Sequence, residues 1–161
     1  MTRSTCTLAT LLLCACFAFT LTACDSDDDD DLPGGPIGGN AGVTATVNGA
    51  DWTSATLAAA GRDETDTSFG FGGFSADGSS ITISVQSLST GTYSTTDEVF
   101  VGVYSSSSTA IPFSTVLGGS GTITVTSITA ERVRGTFSFT ASNGSGTVSV
   151  TNGEFDVTFI D

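Results

Sequence analysis

From Val43 to the end of the chain, β-branched and aromatic residues alternate with Thr and Ser at every second position. That period fits an extended backbone, whose side chains point to opposite faces in turn. Ile81, Ile83 and Val85 fall on one face, with Thr82, Ser84 and Gln86 on the other. Val99, Val101 and Val103 alternate likewise. Nearer the C-terminus, Val133, Phe137, Phe139 and Ala141 are expected inward, and Arg132, Arg134, Thr136, Ser138 and Thr140 outward. Phe155, Val157 and Phe159 form a last inward set. No stretch carries the apolar stripe of an amphipathic helix. The expected fold is all-β, a single antiparallel β-sandwich or barrel of roughly eight or nine strands, with both closures left open.

Turn chemistry punctuates the strands. Asn-Gly and Asp-Gly supply the positive φ angles of tight hairpins. A two-residue type I′ turn at Asn152-Gly153 would pair Val150 with Phe155 and Val148 with Val157, inward residue against inward residue. A two-residue turn at Asp77-Gly78 would pair Phe74 with Ile81 but leave Phe69 and Phe71 on the Thr and Ser face. A bulge at Gly72-Gly73 is the expected correction, because one extra residue flips all that follow; the alternative is a phenylalanine pair exposed to a ligand. Ala55 to Ala60 reads as a strand. Trp52, just past the Asn48-Gly49 turn, reads as a core plug, with a ligand contact as the alternative.

Ahead of the β-region the composition changes. Arg3 precedes an uncharged, largely apolar run from Leu8 to Leu21, the layout of a secretory signal. At about 14 residues it is shorter than the ~20 that a membrane-spanning helix needs. The run ends in Leu21-Thr22-Ala23-Cys24, which resembles the lipobox of bacterial lipoproteins. That resemblance implies cleavage between Ala23 and Cys24 and lipidation of the Cys24 thiol. Cys6, Cys14 and Cys16 would leave with the signal peptide, residues 1–23, so the mature chain has no disulfide.

Residues 24–42 read as acylated cysteine, spacer and linker. Ser26, Asp27, Asp28, Asp29 and Asp30 resemble the signal that sends Bacteroidota-type lipoproteins to the outer face of the outer membrane. The alternative is a plain charged spacer with the domain facing the periplasm. Glycines and prolines from Leu32 to Gly42 add flexible reach. Asp25 to Gly42 spans about 23 Å as a coil and about 60 Å when stretched. Residues 43–161 are then one β-domain.

Charge and missing side chains narrow the function. The formal net charge is −13, which makes nucleic acid an implausible partner. Beyond Cys24 there is no His, Lys or Cys. Serine–histidine and cysteine–histidine relays, Schiff-base lysines and His or thiolate zinc sites are therefore excluded. Asp63, Glu64 and Asp66, or Asp97 and Glu98, could serve as paired carboxylates or calcium ligands, but they lack the spacing of a dedicated calcium loop. Trp52, Tyr93 and Tyr104 could form a sugar-stacking platform.

Val47-Asn48-Gly49-Ala50-Asp51-Trp52, Gly91-Thr92-Tyr93, Gly135 to Ala141 and Thr151 to Phe155 together resemble small Bacteroidota lipoproteins with an uncharacterised all-β domain. The resemblance implies compartment and fold type and carries no catalytic residues. The expectation is a non-enzymatic, lipid-anchored envelope module that needs no cofactor or metal and meets a protein or glycan partner. The alternatives are a carbohydrate- or calcium-dependent adhesion module and an enzyme using two carboxylates.

Overall fold

The computed structural model describes residues 42–55, 58–63, 65 and 67–160. Ten strands run in chain order: β1 (Gly42–Val47), β2 (Ala50–Thr53), β3 (Ala59–Arg62), β4 (Phe69–Phe74), β5 (Ser80–Val85), β6 (Gly91–Ser94), β7 (Phe100–Ser105), β8 (Phe113–Ile128), β9 (Arg132–Ser142) and β10 (Thr147–Phe159). One short 3-10 turn, Thr95–Asp97, lies between β6 and β7. Among the described residues there is no α-helix, and no helix is long and apolar enough to cross a membrane. The described residues fall in one compact unit, and the whole buried core among them lies between Val43 and Val157.

Hydrogen-bonded neighbours follow the order β2-β1-β10-β3-β4-β5-β7-β8-β6, with β9 between β10 and β8. Every ladder is antiparallel except that of β10 with β3. The longer ladders group the strands into two leaves, β2-β1-β10-β9-β8-β6 and β3-β4-β5-β7. Two narrow corners join them: Thr158 and Phe159 beside Ala59 and Ala60, and Val103 and Tyr104 beside Ser114 and Phe113. The result is a single ten-stranded sheet folded over on itself as a sandwich, not a closed barrel.

Aromatic rings fill the space between the leaves. Phe71 of β4 stacks on Phe155 of β10 with centroids 4.5 Å apart, and meets Phe137 of β9 edge-on at 6.3 Å. Phe100 of β7 meets Phe139 of β9 at 6.2 Å. Beside it Gly102 leaves room for that ring, since a Cβ there would lie 2.9 Å from Phe139 Cδ1. Trp52 is a core plug, with its indole N–H donating to the buried Ser79 hydroxyl at 2.7 Å.

The inward sets on β5 and β9 are as expected, and Phe155 and Val157 are buried with Phe159 partly so. Four local expectations are corrected. Val99, Val101 and Val103 are not the inward set: Val85 pairs with Phe100 and Ile83 with Gly102, so those two residues take the core face. With apolar residues on both faces, only the partner strand decides the parity.

Asn152-Gly153 is not a hairpin turn. β10 runs straight through it, and on β9 Phe139 opposes Val150 while Phe137 opposes Gly153. One extra residue on β10 makes a bulge, with Asn152 at φ +49°. The inward set switches there from Val148 and Val150 to Gly153, Phe155 and Val157. The true β9–β10 turn is Asn143 to Gly146, where the Asn143 side chain accepts from the Ser145 and Gly146 amides. By contrast, Asn48 and Gly49, at φ +50° and +86°, do make a two-residue turn between β1 and β2.

No bulge occurs at Gly72-Gly73. Phe69 and Phe71 reach the core because Phe74 pairs with Ser80 across a five-residue connection, an odd number where the two-residue turn had required an even one, closed by the Gly78 amide donating to Ser75 O and the Ser75 amide donating to Ser79 O. Finally, the strand expected from Ala55 to Ala60 starts only at Ala59, while Thr56 and Leu57 lie outside the described residues.

Candidate functional site

The outer face of the larger leaf carries the residues that alternate away from the core, and register sets them in rows. Thr92, Thr124, Thr136, Glu154, Thr44 and Thr53 stand in line across β6, β8, β9, β10, β1 and β2. A second row holds Ser94, Thr122 and Ser138, and resumes beyond the β10 bulge with Thr151, Thr46 and Asp51. Ser120, Thr140 and Ser149 begin a third. Neighbouring hydroxyls meet in places: Thr92 Oγ1 lies 2.9 Å from Thr124 Oγ1.

Two depressions follow these rows. One, of about 300 Å³, is lined by Thr122, Thr124, Thr136, Ser138, Asn152 and Glu154 among others. The second, of about 420 Å³, runs from Ser94–Thr96 across Ser120–Thr122 and Ser138–Thr140 to Ser149–Thr151. They share Thr122 and Ser138 and so make one shallow groove. Glu154 is the one charged residue lining it. Each hydroxyl both donates and accepts, so the groove can match neutral polar groups of either kind. It holds no pair of carboxylates placed for proton transfer. On the wall of the first depression the bulged Asn152 donates from Nδ2 to Thr46 Oγ1 at 3.4 Å.

The family described as Domain of unknown function (DUF6252) matches residues 39–157, most of the chain and all of the buried core. The chain belongs to the DUF6252 family. No curated protein and no solved structure matches it. The DUF6252 match takes in all four segments that carry the sequence resemblance, and their structural work is now visible. Asn48-Gly49 turns β1 into β2, and Trp52 fills the core. Tyr93 OH donates to Ser89 O at 2.9 Å and lies close to the Ser87 and Ser89 hydroxyls, pinning the loop before β6. Phe137, Phe139 and Phe155 pack between the leaves.

The other sequence candidates in this DUF6252 chain are not brought together. Asp63 spends its carboxylate on its own turn, accepting from the Thr65 and Thr67 hydroxyls and the Thr67 and Ser68 amides. The Thr65 hydroxyl bond, then the Ser68 amide and Thr67 hydroxyl, hold it well below the usual carboxylate range. Glu64 and Asp66 lie outside the described residues. Asp97 sits in the exposed 3-10 turn, and Glu98 ends it at φ +59°. Among the described residues no three acidic side chains gather as a cation site. Trp52 is buried, Tyr93 stands opposite Ile123, and Tyr104 opposite Ile81 and Phe113, so no single stacking platform forms.

The three arginines of the β-domain serve the fold. Asp156, buried to 7 % exposure, takes Arg132 Nε at 2.9 Å, Arg132 Nη2 at 2.8 Å and Arg134 Nε at 3.1 Å. Arg62 lays its guanidinium 3.7 Å over the Phe159 ring and donates to Ala130 O. Ala23, Cys24 and Ser26 to Asp30, the residues of the expected processing site and export signal, lie outside the described residues. Sequence reading missed the groove. Its signal was the run Ser120, Thr122, Thr124, which registers as a site only when β6, β9 and β10 are laid beside it.

Proposed function

We propose that this chain is a lipid-anchored, non-catalytic module of the bacterial cell envelope that binds a neutral, hydroxyl-rich ligand, such as a glycan, on the outer face of its larger leaf. The observation that carries the binding role is the groove through Thr122 and Ser138, lined by Ser and Thr over four strands. A neutral ligand suits a chain at −13, which repels anions at long range. The lack of His, Lys and Cys beyond Cys24 favours binding over turnover.

The address rests on Leu21-Thr22-Ala23-Cys24 and the acidic run behind it. Metabolic labelling with a fatty acid, wild type against Cys24→Ser, tests the anchor: label lost in the variant supports it, and no label in either refutes it. Protease treatment of intact cells then separates a surface domain from a periplasmic one. For the groove, residues 34–161 are screened on a glycan array and hits are repeated with Thr122→Val and Ser138→Ala. Binding weakened tenfold or more in the variants, at unchanged melting temperature, supports the reading. A blank array, or hits indifferent to both substitutions, overturns it.

A further inference from the structure

β8 leaves its ladder with β9 near its start. On β9, Ser142 and Ala141 are adjacent, but their partners on β8 are Ser114 and Gly119, so Thr115 to Gly118 have no partner on β9 and form a wide bulge within β8. The loop is held at its base. Thr115 turns its side chain inward, where Oγ1 accepts from the Gly102 amide at 3.2 Å, and Ser114 Oγ accepts from the Val116 amide at 3.2 Å. Gly118 and Gly119, at φ +127° and +145°, bring β8 back. A Cβ on Gly119 would overlap Thr140 O at 2.0 Å, so that return is shaped for glycine.

Among the described residues five large hydrophobic side chains are exposed; Phe74 and Ile160 stand singly, and the other three fall within seven residues of one another here. Val116 is 73 % exposed and Leu117 62 %, and Ile111, just before β8, is 69 % exposed. Val116 and Leu117 lie on the stretch that has no partner on β9, and Ile111 lies five residues before Val116; aliphatic side chains so exposed gain nothing from water. The surrounding chain is uncharged as well: no charged residue occurs from Val99 to Ala130 or from Gly135 to Gly153, although the whole chain carries 17 acids.

We infer that the Ile111–Leu117 tip inserts into the lipid bilayer, as a second point of attachment beside the N-terminal anchor. The inference rests on the anchored reading above, because an acylated Cys24 keeps a bilayer at high effective concentration. Tether length permits it. Gly42 stands beside Asp156 near one end of β10, and the tip stands near Ser142 and Thr147 at the other. That separation is about 30 Å at the rise of an extended strand, against a stretched limit of about 60 Å for Asp25 to Gly42. An acidic tip, like the rest of this domain, would be repelled by anionic headgroups. An uncharged aliphatic one enters the interface with no ion to desolvate.

The test keeps insertion apart from acylation. Residues 34–161 contain every core residue and no cysteine. They are held on vesicles of phosphatidylcholine and phosphatidylglycerol doped with nickel-chelating lipid, through an N-terminal hexahistidine tag. An environment-sensitive fluorophore is placed at Leu117→Cys, or at Thr129→Cys in the β8–β9 turn as control. Insertion predicts a blue shift and quenching by lipid-borne quenchers at position 117 only. The shift should be lost when Val116→Asp is added, with melting temperature unchanged. No shift at 117, or equal shifts at both positions, overturns the inference. So does a shift that needs no vesicles and grows with protein concentration, which would identify a second copy as the occupant. Failure here with successful fatty-acid labelling of Cys24 refutes insertion and leaves the anchor standing.

Discussion

Phe137 and Gly153 face each other across β9 and β10, and a Cβ on Gly153 would lie 2.5 Å from Phe137 Cε2 and 2.6 Å from Phe137 O. Gly153 lies outside the left-handed region, so glycine is required there by the ring opposite rather than by a turn. Gly153→Ala should cost about 1–3 kcal/mol through overpacking, and Phe137→Ala about 3–5 kcal/mol through the cavity left behind. The double variant should lose less than the sum of the two, since the missing ring relieves the clash. Chemical denaturation of the four proteins checks this; strict additivity would mean that the two residues do not meet.

Asn152 carries the bulge at φ +49°. Asn152→Gly should leave stability within about 0.5 kcal/mol, whereas Asn152→Val should cost about 1–2 kcal/mol, because a β-branched side chain resists the left-handed region. Equal melting temperatures for the two would contradict the assigned backbone.

Asp156→Ala should destabilise by about 2 kcal/mol. Breaking a fully buried pair costs roughly 3–5 kcal/mol, but the Arg132 side chain is 31 % exposed and water screens part of the loss. Arg134→Ala should cost much less, under about 1 kcal/mol, with that side chain 54 % exposed. Urea midpoints of both variants decide the order.

Asp63 and Asp77 both have carboxyls held below the ordinary range. For Asp63 the Thr65 hydroxyl contributes most, and for Asp77 the Ser79 hydroxyl. A folded-state value lower than the unfolded one, near 3.9, adds stability that is complete above that value and is lost as pH falls through the folded one. The melting temperature should therefore be insensitive to these groups above about pH 5 and should drop below about pH 4. Asp63→Asn with Asp77→Asn should flatten that acid limb; an unchanged limb would show that other carboxylates govern it.

What sequence conveyed depended on whether the deciding contact was local. Ile81, Ile83 and Val85 alternate with polar residues, so their burial was legible from five positions. Around Val99 to Tyr104 both faces are apolar, and the Ile83–Gly102 pairing, set by another strand, makes the choice. Asn152-Gly153 misled for a related reason. A tight turn and a bulge both ask for a left-handed residue, and only the unbroken partners β1 and β9 show that the chain does not reverse there. The groove was hidden further still, since Ser and Thr on an outer face are ordinary until register lines them up.

β10 follows the other nine described strands along the chain, yet it pairs with β1, β9 and β3. A growing chain that stops short of Thr147 lacks the strand that joins β1 to β9 and one of the two corners between the leaves. Contacts so distant in sequence also make closure slow. The sheet therefore cannot lock until the chain has been made as far as Phe159, however early β1 emerges.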